Sequence, residues 1–195
     1  MSTPPSVAPP RKTSTAKKVL VGLAVFLIIF FGFVQMQPPQ FTVERSIKIA
    51  APASTVYANL DDFHKWEAWS PWAKLDPNMK TTYSGADKGV GATYSWTGDD
   101  KVGEGVMKIT ENRPDELVKI DLDFIRPFAA KNVTEFRLKP DGNQTEVTWK
   151  MSGDKNFMMK LVHLFMNMDK LVGADFEKGL TQLKAVSETG QPAAN

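Results

Sequence analysis

Residues 157–186, FMMKLVHLFMNMDKLVGADFEKGLTQLKAV, hold the longest amphipathic pattern of the 195-residue chain. Plotted at ~100° per residue, their first half shows a narrow polar stripe of Lys160, His163, Asn167 and Lys170. Phe157, Met158, Leu161, Val162, Leu164, Phe165, Met166, Met168, Leu171 and Val172 fill most of the remaining circumference. A helix on an open surface shows a narrower apolar band, so this one is expected to be embraced by other structure. Gly173-Ala174-Asp175 is read as an interruption, and Phe176, Leu180, Leu183 and Val186 as an ordinary amphipathic finish. His163, within that stripe, is expected to be exposed.

The segments ahead of this helix supply the embrace. Phe41, Val43, Ile47 and Ile49 alternate with polar residues and predict a first strand. Pro52 and Ser54 introduce a short helix over 55–60, and Asp61-Asp62 lead into a second short helical or looped piece. Strands are then expected over 80–84, 92–97, 103–111, 117–124, 133–139 and 145–152. Turn-forming stretches at 85–91, 98–100, 112–116 and 141–143 lie between most of them. One strand, two short helices, a run of antiparallel strands and a long last helix make an α+β layer fold.

The other end of the chain reads differently. Residues 1–17, rich in Pro, Ser and Thr with no apolar periodicity, are expected to form a disordered basic tail. Val19 to Val34 is an uninterrupted apolar run, and residues 18–36 are read as a single transmembrane helix at the lower end of the ~17–25 residues needed. A cleaved signal peptide is the alternative, but Phe31 to Met36 lacks the small-residue pair that a cleavage site requires. Before Glu44 the charges are Arg11, Lys12, Lys17 and Lys18, all ahead of the apolar run. The positive-inside rule then places the N-terminus in the cytoplasm and the C-terminal domain outside it, on a cell (inner) membrane in the periplasmic sense. Residues 37–40 are a linker, 41–188 the domain and 189–195 a second disordered tail.

Composition narrows function. Hydrophobic residues make up 42% of the chain, which fits one membrane segment and one domain. There is no cysteine, so disulfides, thiolate catalysis and Cys-ligated zinc are excluded. Removing the four N-terminal cations from 24 basic residues leaves 20 against 22 acidic ones, which is no footprint for nucleic acid. His64 and His163 lack the i, i+4 pairing of an H-E-x-x-H site, no G-x-S-x-G elbow exists, and 85–91 lacks the Lys and Ser/Thr of a phosphate loop. No metal and no cofactor are expected.

Particular residues add a resemblance to this element order. Ile49-Ala50-Ala51-Pro52 is followed by Val56-Tyr57, Asp61-Asp62 and Trp66-Glu67-Ala68-Trp69-Ser70-Pro71-Trp72. Later come Gly89-Val90-Gly91, Thr145-Glu146-Val147-Thr148-Trp149, Asp175-Phe176-Glu177, Gly179-Leu180 and Leu183-Lys184. From Phe41 to Glu188 the chain resembles the START-like (SRPBCC) helix-grip superfamily, in its polyketide cyclase/dehydrase-like branch. The resemblance implies a curved antiparallel sheet gripping the last helix, with a cavity between them for an apolar or amphipathic molecule. It transfers no catalytic residue onto this chain, and the N-terminal anchor is an addition to the family pattern.

Candidate residues for that cavity are Trp69 and Trp72 of the Trp-rich segment, Tyr94 and Trp96 on one strand face, Phe124, Trp149, and Met158, Phe165 and Asp169 of the long helix. Arg45 joins them because it falls between Val43 and Ile47 in the inward phase of its strand. A charge there must be paired or neutralised. Gly103 and Gly105, read as sharing one strand phase, are expected to leave a gap in the inner face, or else to mark a bulge. The preferred reading is a membrane-anchored domain that binds a lipid-like or aromatic small molecule. The bilayer, contacted through Val19 to Val34, is its other partner. One alternative is a cyclase or dehydratase-like enzyme drawing acid/base groups from Asp61, His64, Arg45 or Asp169. Another is a protein-interaction surface without a ligand. The sequence is silent on oligomeric state.

Overall fold

The computed structural model describes residues 15–189, so most of the two expected tails lies outside the described residues. The chain divides into two compact units, Met1–Gln37 and Pro38–Asn195. In the first, α1 (Thr15–Gln35) begins three residues ahead of the expected start at Lys18. It is long and apolar enough to cross a membrane, a test that an N-terminal signal sequence also passes.

The second unit is an α+β helix-grip fold. Strand β1 (Gln40–Ile49) is followed by α2 (Ala53–Leu60) and a 3-10 helix, Phe63–Ala68. Six strands come next: β2 (Lys80–Gly85), β3 (Ala92–Thr97), β4 (Glu104–Arg113), β5 (Leu117–Arg126), β6 (Ala130–Asp141) and β7 (Gln144–Asp154). They form one curved antiparallel sheet in the order β1-β7-β6-β5-β4-β3-β2. The hairpins from β2 to β7 follow chain order because each link is a short turn. β1 reaches the far edge and pairs with β7 along its whole length, from Gln40 opposite Asp154 to Ile49 opposite Thr145.

Two helices close the unit, α3 (Phe157–Phe165) and α4 (Met168–Thr189). The long element therefore breaks at Met166–Asn167 and not at Gly173. Met166 is extended, and the Asn167 side chain accepts from the Lys170 amide at 3.0 Å, starting a new helix. Gly173, Phe176, Leu180, Leu183 and Ser187 of α4 are buried at i, i+3 and i+4 spacing, the stripe that the sheet grips. Gly173 lies inside this helix for a packing reason: a Cβ there would collide with the guanidinium of Arg45 on β1.

The core between sheet and α4 is aromatic. The Trp149 ring lies parallel to Phe176 at 4.1 Å, with Phe136 at 4.8 Å and Trp69 and Trp72 edge-on at 5.7 Å each. Trp149 also sits against Gly179, where a Cβ would come within 2.8 Å of its ring. Such a cluster buries large apolar areas and adds geometry-dependent attraction between rings.

Candidate functional site

Three inward residues at the start of β1, Phe41, Val43 and Arg45, point toward the α3–α4 junction. Between them lies a groove of about 490 Å3 whose lining includes Phe41, Val43, His163, Phe165, Met168 and Asp169. Its lining is mixed: six apolar side chains, Phe41, Val43, Leu164, Phe165, Met166 and Met168, stand with the polar groups of Thr42, His163, Asn167 and Asp169. That volume is within the range of small-molecule sites, ~300–1,000 Å3.

Arg45 fixes one end of the groove. Its Nη1 donates to Asp169 Oδ1 at 3.0 Å and to the Glu44 carbonyl at 2.8 Å. Nη2 donates to the Asp169 carbonyl at 3.0 Å and to Oδ2 at 3.3 Å, while Nε donates to Glu177 Oε1 at 2.7 Å. All five N–H donors of the guanidinium are thus engaged within the protein. Hydrogen bonding to Arg45 holds the Asp169 carboxyl below its ordinary range, and the same bonds raise the arginine. Arg45 therefore joins β1 to the first turns of α4, and Asp169 reaches the groove as an ionised, already-bonded carboxylate.

His163 and Asn132 carry the unsatisfied polarity. The His163 ring does not face water as expected: it packs on Phe41 at 5.4 Å, and its Nε2 is buried without a hydrogen-bond partner. Asn132 sits on the inner face of β6 opposite Gly153 of β7, which is itself opposite Phe41 of β1. A Cβ on Gly153 would meet both Asn132 Oδ1 and the Phe41 ring, so the amide oxygen lies just behind that ring. It too is buried and without a partner. A buried polar atom left unbonded costs on the order of 1–3 kcal/mol.

Burial lowers the His163 pKa from its ordinary 6.5, and Lys155 lowers it further. The unfolded chain takes up the proton near 6.5, and the folded one only at lower pH. The contribution of the neutral buried ring is complete above 6.5 and is lost as pH falls from there through the folded value. The protection factors of the α3 amides, each taken against the intrinsic exchange rate at the same pH, are therefore expected to fall as the pH drops below about 6.5. His163→Gln is expected to remove that pH dependence, and a profile unchanged by the substitution would refute the assignment.

Comparisons with known proteins give the family and the fold. The family described as polyketide cyclase/dehydrase and lipid transport matches residues 40–188. The chain belongs to that family. No curated protein sequence matches. Among solved structures, CV1439 from Chromobacterium violaceum aligns at 16% identity and TM-score 0.54, over 78% of this chain and 99% of its own. The Aha1 dimer from Colwellia psychrerythraea aligns at 19% identity and TM-score 0.55, over 77% and 98%. DynU16, a protein of the dynemicin biosynthetic locus, aligns at 15% and 0.54, over 77% of this chain and 48% of its own. At these identities the likeness is one of fold.

In this domain the expected site residues are not all brought together. Phe165 and Asp169 line the groove, with Arg45 bonded to Asp169 at its edge. Trp69 and Trp149, 1% and 2% exposed, are ring-packed core, and half-buried Trp72 leans on Trp149. Tyr94, Trp96 and Phe124 form an aromatic group on β3 and β5 that joins the same core through Phe63 and Trp66, and burial raises the Tyr94 phenol to about 12. Met158 is exposed on α3. Asp61 and His64 belong to the corner of α2 and the 3-10 helix. There the His64 ring lies 4.1 Å from Tyr83, and its Nδ1 is 3.0 Å from Asp62 Oδ1.

The expected gap at the glycines is filled. Gly103 is in the turn before β4, Gly105 is covered by the Trp96 ring, and the β4–β5 register shifts between Glu104 and Gly105, in line with the bulge offered as the alternative. Sequence reading missed Phe41, Val43, His163, Met168 and Asn132. The inward phase of β1 already contained the first two. Starting β6 at Val133 left Asn132 outside its strand.

Proposed function

We propose that this family member holds a hydrophobic or amphipathic small molecule, lipid-like or aromatic, at the groove between β1 and the α3–α4 junction. We further propose that α1 anchors it in the membrane, with the N-terminus cytoplasmic and the domain on the opposite side. The observation that carries the binding reading is the groove of about 490 Å3, of mixed apolar and polar lining, with Asp169 held ionised at one end. The family's lipid-transport description and the unbonded Asn132 Oδ1 behind Phe41 support it. The apolar run and the N-terminal position of Arg11, Lys12, Lys17 and Lys18 support the anchor.

Native mass spectrometry of the full chain, released from mild detergent, tests the binding reading. A discrete adduct of small-molecule mass is expected, and Met168→Trp, which fills the groove, is expected to remove it while the far-ultraviolet circular dichroism spectrum stays unchanged. A wild-type protein that is always bare, or an adduct equally abundant in the folded Met168→Trp variant, defeats the proposal.

A further inference from the structure

The packing of α3 is inverted for a helix of a water-soluble domain. Lys160 and His163 share one side of it, and the His163 ring turns inward onto Phe41. Met158 and Phe165, projected on the other side, are 51% and 77% exposed, and no residue of α3 is buried. The exposure continues past the helix in Met166 at 48% and Leu171 at 54%. Scattered apolar side chains on a surface are ordinary, but four large ones around one junction mark an interaction surface.

Position within the domain and charge point to one partner. Gln40 pairs with Asp154, and the Lys155 amide donates to the Pro39 carbonyl at 2.6 Å. The chain therefore enters the domain at the pole where α3 leaves it. Only Met36 and Gln37 separate the end of α1 from Pro38. At ~3.5 Å per residue that spacer reaches only about 10 Å. A domain tethered this closely to a bilayer keeps its entry pole near the headgroups. The lysines that bracket this stretch of chain are Lys155 ahead of α3 and Lys170 at the start of α4, while the one carboxylate of the groove, Asp169, is paired with Arg45, which also holds Glu177. Apolar side chains flanked by long cationic ones suit the interface of an anionic leaflet, where lysine stems lie along the acyl boundary and their ammonium groups meet phosphates.

We infer that the α3–α4 junction is a bilayer-docking surface of the domain itself. Met158, Phe165, Met166 and Leu171 enter the interfacial layer, and Lys155 and Lys170 lie at the headgroups. The inference rests on the reading of α1 as an anchor. Because Phe165 and Met166 also line the groove, docking opens that groove onto the acyl region. An apolar ligand then moves between membrane and protein without crossing water.

The chain has no cysteine, so single introduced cysteines carry an environment-sensitive fluorophore at one defined place. Three full-length variants, Leu27→Cys in α1, Phe165→Cys, and Asn143→Cys in the β6–β7 turn, are reconstituted into phosphatidylcholine/phosphatidylglycerol vesicles. β7 places residue 143 about 35 Å from the docking pole. The probe at 165 is expected to shift to the blue and to be quenched by lipids spin-labelled high on the acyl chain, with the probe at 143 unaffected. Quenching at 27 with an aqueous, unquenched probe at 165 overturns the docking surface and leaves the anchor standing. No quenching at 27 removes the anchor and the inference with it. A blue shift at 165 that lipids do not quench, and that grows with protein concentration, identifies a protein partner instead and also overturns it.

Discussion

Trp149→Ala is expected to be the most destabilising single substitution in the domain, lowering stability by about 4 kcal/mol, within the range for truncating a buried aromatic residue. Trp149 is 2% exposed and touches Trp69, Trp72, Phe136 and Phe176, so its removal empties the joint between β7 and α4. Collapse cannot refill the space easily. The facing rings are themselves held, Trp69 by its Nε1 bond to the Asn59 carbonyl at 3.0 Å and Phe176 by the register of α4. Against a total stability of ~5–15 kcal/mol, the loss brings the domain close to unfolding, with a fall in Tm of roughly 10 °C or more. Trp149→Phe separates the ring from its nitrogen. The indole Nε1 is buried with no acceptor, so Phe keeps the stack on Phe176 and removes an unsatisfied donor. It is expected to cost less than about 1.5 kcal/mol. Thermal melts of the full chain in detergent measure both. Equal losses for the two variants would show that the cluster does not depend on ring stacking.

What the sequence made legible follows from the range of the interactions concerned. Strand phase is local: Phe41, Val43, Ile47 and Ile49, or Val147, Trp149 and Met151, reveal an inward face by alternation alone, and so the sheet and its grip on α4 were readable. The helix break was not. Gly173 carries the usual mark of a breaker, whereas its real constraint comes from Arg45, 128 positions earlier in the chain and opposite it in space. Asn167, the residue that does restart the helix, is exposed, and nothing in the polar stripe sets it apart as a cap. The reading of His163 failed for a different reason. A polar stripe says which side differs, not which side faces water, and α3 turns that side toward Phe41. The aromatic candidates show the converse limit. Trp69, Tyr94, Trp96 and Trp149 are each the right kind of residue for a ligand wall, and only their mutual contacts decide between wall and core.

Gly105 presents that limit as a measurable quantity, and Gly105→Ala is the second large effect expected. A missing side chain on an inner strand face reads as space for a ligand. In the structure the space is occupied, because a Cβ at 105 would run into Cη2 and Cζ2 of Trp96 and come within 2.7 Å of the Asp123 carbonyl oxygen. The Trp96 ring has little freedom to move, being held by its Nε1 bond to the Val102 carbonyl at 2.9 Å and by Phe124 edge-on at 5.8 Å. The backbone oxygen opposite is fixed by β4–β5 pairing. Forcing a methyl group in is expected to cost about 2–3 kcal/mol, combining overpacking with a weakened hydrogen bond. Trp96→Leu alone is expected to cost about 2–4 kcal/mol through the cavity it leaves. In the double variant the new methyl enters that cavity, so the two losses should add to less than their sum by at least about 1 kcal/mol. Urea titrations of the four proteins complete the cycle. Strict additivity would mean that residue 105 and the Trp96 ring do not compete for one volume, and the inner face of β4 would then be an open wall after all.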